Sequence, residues 1–191
     1  MKHLILFLLI TLSSSIYSQE TSYICAGTTK TLTASVTGGT APLTYNWTSP
    51  SNVTTSGATV TANAAGVWVW TCIDAVGCTA SGTHTINYVA DPTSGITINA
   101  NNTCVGTAQT ISATGVPAGY TYSWDFGSGA NPQFSNTSSE SVSYSTSGSK
   151  TIELTIDRLY SGTSNGCSPT CVWIKTTTIN ITTLTGSSSC N

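Results

Sequence analysis

The chain repeats itself. Cys25-Ala26-Gly27-Thr28-Thr29-Lys30-Thr31-Leu32-Thr33-Ala34 is echoed by Cys104-Val105-Gly106-Thr107-Ala108-Gln109-Thr110-Ile111-Ser112-Ala113. Farther along, Tyr45-Asn46-Trp47 answers to Tyr122-Ser123-Trp124, Asp74 to Asp157, Gly77-Cys78 to Gly166-Cys167, and Thr85-Ile86-Asn87 to Thr178-Ile179-Asn180. Order and approximate spacing are both kept, so a whole module is duplicated and each copy must satisfy one fold. The copies occupy residues 19–91 and 92–184, joined at Ala90-Asp91-Pro92-Thr93-Ser94-Gly95, which has the chemistry of a short linker. Ile98 precedes Cys104 as Leu184 precedes Cys190, so residues 185–191 read as the start of a third copy, and the chain as the N-terminal piece of a longer protein. A frayed tail with a stray cysteine is the competing reading.

Each copy alternates with a period of two. Leu32, Ala34 and Val36 share a face, as do Trp68, Trp70 and Cys72, and Ile152, Leu154 and Ile156 lie opposite Glu153 and Thr155. Clusters of Gly, Ser, Asn and Pro punctuate these runs, and no stretch of the repeats has helical apolar spacing with caps. The pattern predicts an all-β chain: two tandem antiparallel β-sandwiches of about seven strands each. Trp47 and Trp124 are the expected centres of the two cores, each with a ring N–H that needs a partner, and Trp68 and Trp70 are expected in the core as well.

The first residues read as an address. Met1-Lys2-His3 is basic, Leu4 to Leu12 is apolar but too short to span a bilayer, and small Ser18 suits the last position before cleavage. We therefore expect a signal peptide over 1–18, export, and a secreted, extracellular or cell-surface location, with no membrane insertion of the mature chain. Ser22-Tyr23-Ile24 before Cys25 lacks the Leu of a lipoprotein site, so no lipid anchor is implied. Cleavage leaves four basic and seven acidic residues. So few cations cannot neutralise a phosphate backbone, which excludes nucleic acid as a partner.

Seven cysteines in an exported chain imply disulfides. The equivalents that recur suggest Cys25 with Cys78 and Cys104 with Cys167, the first closing a loop of about 54 residues and stabilising its module by roughly 4 kcal/mol. Cys72 reads as a small buried hydrophobe. Cys171 is left open, with Cys104 or Cys167 as possible mates. A zinc site at Cys167-x-x-x-Cys171 competes, but no histidine or second cysteine pair accompanies it, and no metal or cofactor is expected.

Tyr122-Ser123-Trp124-Asp125-Phe126-Gly127-Ser128-Gly129, followed by Val142-Ser143-Tyr144 and Gly148-Ser149-Lys150-Thr151-Ile152-Glu153-Leu154-Thr155-Ile156, resembles the PKD domain, whose signature is a Trp-Asp-Phe-Gly-Asp-Gly turn and a later Tyr, Gly and Thr-Val-Thr-Leu pattern. Ser128 stands where that family has its second Asp. Copy one is similar to the Ig-like repeats of large surface proteins of gliding bacteria, with a Cys-x-Gly start and a late Asp-x-x-Gly-Cys. The resemblance implies non-catalytic modules of adhesins, gliding-associated proteins or the stalks of secreted hydrolases. In physical terms, the Asp125 carboxylate should cap N–H groups of its own turn, with Gly127 and Gly129 at positive φ.

Catalytic chemistry is sparse. Gly162-Thr163-Ser164-Asn165-Gly166 matches Gly-x-Ser-x-Gly, but it sits in a polar insertion without a nearby histidine base. Asp74, Asp91, Asp125 and Asp157 are isolated and read as turn caps, with a weak calcium option at Asp91. The aromatics weighed as sugar contacts are Trp68, Trp70, Trp173, Tyr120 and Tyr160, of which Tyr160 is the best placed for exposure. The sequence predicts no enzymatic activity, and spacer and adhesion modules with a protein or carbohydrate surface ligand. The competing readings are accessory modules of a secreted hydrolase with its catalytic domain beyond Asn191, and a fibre subunit joined through Cys190 or an open sheet edge.

Overall fold

A computed structural model describes residues 19–160 and 170–183. The expectations for the signal peptide, for Cys167 and the Gly-x-Ser-x-Gly pattern, and for the third copy at Cys190 lie outside the described residues. Within them the chain is all-β, and a single 3-10 turn at Thr93–Gly95 is the sole helical element. The described residues divide into two compact units, 19–22 with 29–87 and 23–28 with 88–160 and 170–183.

The strands up to the linker are β1 (Gln19–Cys25), β2 (Lys30–Thr33), β3 (Thr44–Thr48), β4 (Thr54–Ser56), β5 (Thr59–Ala62), β6 (Gly66–Ile73) and β7 (Thr79–Val89). They form a five-stranded sheet in the order β1-β7-β6-β3-β4 and a two-stranded sheet β2-β5. The alternation read from the sequence sets the faces. Leu32, Ala34 and Ala62 on the small-sheet side and Trp47, Trp68, Cys72 and Ile86 on the large sheet are buried, whereas Val67, Val69 and Ile73 of β6 face out. Trp70 departs from the expectation of a core residue: it is only half-buried. Its register partner on β7 is Gly82, and a Cβ there would stand 2.6 Å from the indole nitrogen, so the ring lies against bare backbone.

The second run comprises β8 (Thr97–Asn99), β9 (Thr103–Cys104), β10 (Gln109–Thr114), β11 (Thr121–Asp125), β12 (Ala130–Asn131), β13 (Phe134–Ser135), β14 (Ser139–Tyr144), β15 (Gly148–Leu159) and β16 (Thr170–Thr182). Sheets ordered β12-β14-β10-β8 and β13-β11-β15-β16-β9 form the two layers of a sandwich. Its core draws Ile111, Val142 and Tyr144 from one sheet and Trp124, Ile152, Leu154, Ile156, Cys171, Trp173, Ile179 and Ile181 from the other. β15 and β16 pair from Gly148↔Ile181 to Leu159↔Thr170, a long antiparallel spine.

Both repeats solve the tryptophan problem alike. Trp47 and Trp124 are each 1% exposed. The Trp47 ring N–H donates to the Ala58 carbonyl at 3.3 Å and that of Trp124 to the Thr137 carbonyl at 2.8 Å. Each acceptor lies just before a strand of the other sheet, so one hydrogen bond ties the two layers together while removing the cost of a buried unpaired donor.

The strand carrying each repeat's first cysteine runs parallel to the last long strand of that repeat. Thr103 and Cys104 pair parallel with Ile181 and Thr182, and the Val105 N–H donates to the Thr182 carbonyl. In the same way Ser22 meets His84 and the Ala26 N–H donates to the Val89 carbonyl. This corrects the expected Cys25–Cys78 disulfide. A parallel β1 carries Cys25 to the C-terminal end of β7, whereas Cys78 precedes its first residue, about ten residues or 33 Å away at strand rise. Cys25 instead bonds Cys171 at the start of β16, with Cα atoms 5.6 Å apart. Cys78 is free and exposed, and Cys72 is free and buried. Cys104 is also disulfide-bonded.

Candidate functional site

The turn that carries the PKD resemblance is a structural clasp. The Asp125 carboxylate accepts the Gly127 N–H at 2.8 Å, and Gly127 and Gly129 take φ of 84° and 80°. A Cβ on Gly127 would stand 2.8 Å from the Thr151 carbonyl oxygen, so glycine is needed for space as well as conformation. Phe126 stacks on Trp124 at 5.5 Å, and its carbonyl accepts the buried Tyr144 hydroxyl at 2.9 Å. Burial, with the Asp125 charge behind it, pushes the Tyr144 hydroxyl up to about 12. At the position of the family's second acid, the Ser128 carbonyl accepts from the buried Lys150 ammonium, which also donates to Thr146 Oγ1. The turn thus receives a cation from its own chain.

The isolated aspartates organise loops. Asp74 accepts N–H bonds from Thr40, Val76 and Cys78, and the Thr40 bond is the chief cause of its lowered pKa. Asp91 accepts the Thr93 N–H, and Asp157 accepts the Thr121 hydroxyl. In the first unit His84 bridges Ser22 Oγ through Nε2 at 2.9 Å and Glu20 through Nδ1 at 3.2 Å. The order Ser–His–Glu matches a nucleophile, a base and its orienting acid, but Ser22 is 2% exposed and its hydroxyl offers no path to an acyl group. The zinc option at Cys171 is removed, because its sulfur is bonded to Cys25.

One cluster in the second unit gathers groups suited to recognition. Along β15 the inward positions run Ile152, Leu154, Ile156, and the next two in that register are Arg158 and Tyr160. Arg158 lies opposite Cys171, and Ile156 opposite Trp173. The core therefore ends in a cation and an aromatic ring instead of another aliphatic residue. The Arg158 guanidinium is 5.0 Å from the Tyr160 ring centroid and 5.9 Å from that of Tyr120. Tyr160 packs on Tyr23 at 5.3 Å and Tyr120 on Trp173 at 5.7 Å, giving a ladder of planar groups from buried Trp173 to half-buried Tyr23. The Tyr120 and Tyr160 hydroxyls are 2.9 Å apart and hydrogen-bonded. Burial first, then this bond, raises the Tyr120 hydroxyl to about 12.

Arg158 is held from several sides. Nη1 donates to the Ala118 carbonyl at 3.2 Å, the two tyrosine rings engage it by cation–π attraction, and Gly119, at φ 84°, has no side chain to crowd it. A Cβ on Gly119 would stand 3.4 Å from Cζ. Of five guanidinium N–H donors this arrangement uses one, and no carboxylate among the described residues lies within ion-pair distance. The Cys25–Cys171 bond anchors the strand that supplies Tyr23.

Of the five aromatics weighed as contacts, the fold brings Tyr120, Tyr160 and Trp173 together and places Trp68 in the first unit's core, its ring N–H bonded to the Ala64 carbonyl. Sequence reasoning missed Arg158 and Tyr23. The available signal for Arg158 was its register: a charged residue two steps beyond Ile156 on a core-facing row. Tyr23 joins through the parallel course of β1, which carries no local signature.

No family model and no curated protein matches the chain. Among solved structures it is similar to murine CEACAM1b (10% identity, TM-score 0.34, 87% of this chain and 99% of that one). It is also similar to a DIP-gamma IG1+IG2 pair (14%, 0.32, 87% and 95%) and to a chimeric titin Z1Z2-Z1Z2 tandem (16%, 0.28, 88% and 97%). Likeness at this level assigns no family.

Proposed function

We propose that the chain is a non-catalytic spacer and recognition segment of a larger exported surface protein, built of two β-sandwich modules, the second of PKD type. The observation that carries this reading is the Arg158–tyrosine cluster: Tyr, Trp and Arg are the residues that dominate binding hot spots, and here they are pre-ordered on a disulfide-anchored scaffold. The Cys25–Cys171 bond supports an oxidising, extracellular setting. The tryptophan-to-carbonyl ties between sheets suit a module that must keep its shape as a stalk.

The test is retention under flow of protein-coated beads on surfaces bearing defined polysaccharides or defined extracellular proteins. The expected result is retention on at least one surface well above albumin-coated beads, without turnover of that surface. Retention equal to albumin on every surface would overturn the recognition role.

A further inference from the structure

We propose that the Arg158–Tyr120–Tyr160–Tyr23 cluster is a binding site for a carboxylated sugar, a uronate unit of an acidic polysaccharide. This rests on the recognition reading above and names its ligand class.

Arg158 is half-buried and fixed by the Ala118 carbonyl and two rings, yet most of its donors have no acceptor among the described residues. A planar fork held this way is the complement of a carboxylate, which it can grip through two parallel N–H···O bonds at little further entropic cost. Beside it, two phenol oxygens stand 2.9 Å apart, about the separation of neighbouring hydroxyls on a pyranose ring. Their mutual bond consumes one of two phenol protons, which leaves the second to donate and oxygen lone pairs to accept. A uronate unit carries its carboxylate directly on the sugar ring, so carboxylate, hydroxyls and C–H surface reach the site as one rigid piece. An acidic peptide brings its carboxylate on a flexible stem, and its backbone amides are not held rigidly to that carboxylate as the hydroxyls of a uronate are.

Electrostatics make the prediction sharper. The chain carries five basic and seven acidic residues, so its overall field does not draw a polyanion. Affinity must come from the local contact, and the salt dependence should be shallow compared with that of a basic patch.

The experiment is titration calorimetry of the purified protein with polygalacturonate, its methyl ester and polyglutamate. Polygalacturonate should bind, and esterification, which removes the charge but keeps the sugar, should weaken binding at least tenfold. Arg158→Gln should weaken polygalacturonate binding at least tenfold and that of the ester by a much smaller factor. Arg158→Lys, which keeps the charge but not the fork, should also lose several-fold and covers the case in which Arg158→Gln does not fold. Tyr160→Phe should cost two- to fivefold. Equal binding of acid and ester, polyglutamate binding as tight as polygalacturonate, or unaltered binding in both Arg158 variants would each overturn the proposal. Absence of polygalacturonate binding together with bead retention on another surface overturns this ligand class and leaves the recognition reading standing. Absence of both overturns the two together.

Discussion

The two units start from one repeated sequence and end with different second sheets. In the first, β2 and β5 make a two-stranded cover over a five-stranded sheet; in the second, four strands face five. What survives this difference is small and specific: the central tryptophan with its ring N–H on a carbonyl of the other layer, and the cysteine-bearing strand lying parallel to the last long strand. What diverges is how each unit ends its core. The second closes on the Arg158 ladder beside a disulfide; the first buries His84 and Ser22 against a partly exposed Glu20 and keeps Cys72 as a free thiol. The two repeats thus share the ties between layers and differ in the chemistry at the ends of their cores.

The largest way to break the comparison is to cut the disulfide. Cys25 and Cys171 are 146 residues apart, and closing so long a loop is worth about 5 kcal/mol in the chain-entropy model. Urea unfolding of Cys171→Ser should show the second unit's transition at much lower denaturant, with the first unit's transition shifted far less. Next come the tryptophans. Trp47→Ala and Trp124→Ala should each cost about 3–5 kcal/mol, read as a shift of the transition belonging to the mutated unit. Equal shifts of both transitions in either variant would mean that the units do not unfold separately.

Smaller changes sharpen it. Tyr144→Phe leaves the Phe126 carbonyl without its buried donor and should destabilise the second unit by about 1–2 kcal/mol, with no effect on the first. Acid separates the units in the other direction. Burial of His84 outweighs the attraction of Glu20, assisted by repulsion from Lys30, and lowers its pKa in the folded chain. A histidine held neutral contributes stability above its unfolded value of about 6.5, and that stability falls as pH drops below this value toward the lowered folded one. The second unit contains no histidine, since the chain's two are His3 and His84. Urea midpoints measured from pH 7 down to pH 5 should therefore fall for the first unit while the second stays level, and His84→Gln should flatten the first unit's profile. The smallest expected effect is at Asp74, an exposed carboxylate whose pKa is lowered chiefly by the Thr40 N–H. Its contribution is present above the ordinary carboxylate range and lost in stronger acid, so Asp74→Asn should lower the first unit's midpoint slightly and by the same amount throughout pH 5–7.

Much of this architecture was legible in the residues. Period-two alternation located the core faces of β6 and β15, the repeat aligned Trp47 with Trp124, and the Asp125–Gly127 cap followed from turn chemistry. The cysteine pairing was not legible, because the recurring positions suggested a bond within each repeat, whereas the bond depends on β1 running parallel to β7. Parallel pairing is a long-range property with no local sequence mark. The same limit hid the candidate site: Tyr120, Tyr160 and Trp173 stood out singly, but only the strand order and the disulfide put Tyr23 and Arg158 beside them.

The most direct test of the account sets the two units against each other in one assay: retention, on whichever surface holds the unaltered protein, of beads bearing Arg158→Gln or His84→Gln. The account predicts that Arg158→Gln abolishes most of the retention and that His84→Gln keeps it at neutral pH. Full retention by Arg158→Gln, or equal loss in both variants, would contradict the claim that recognition resides at the arginine–tyrosine end of the second unit.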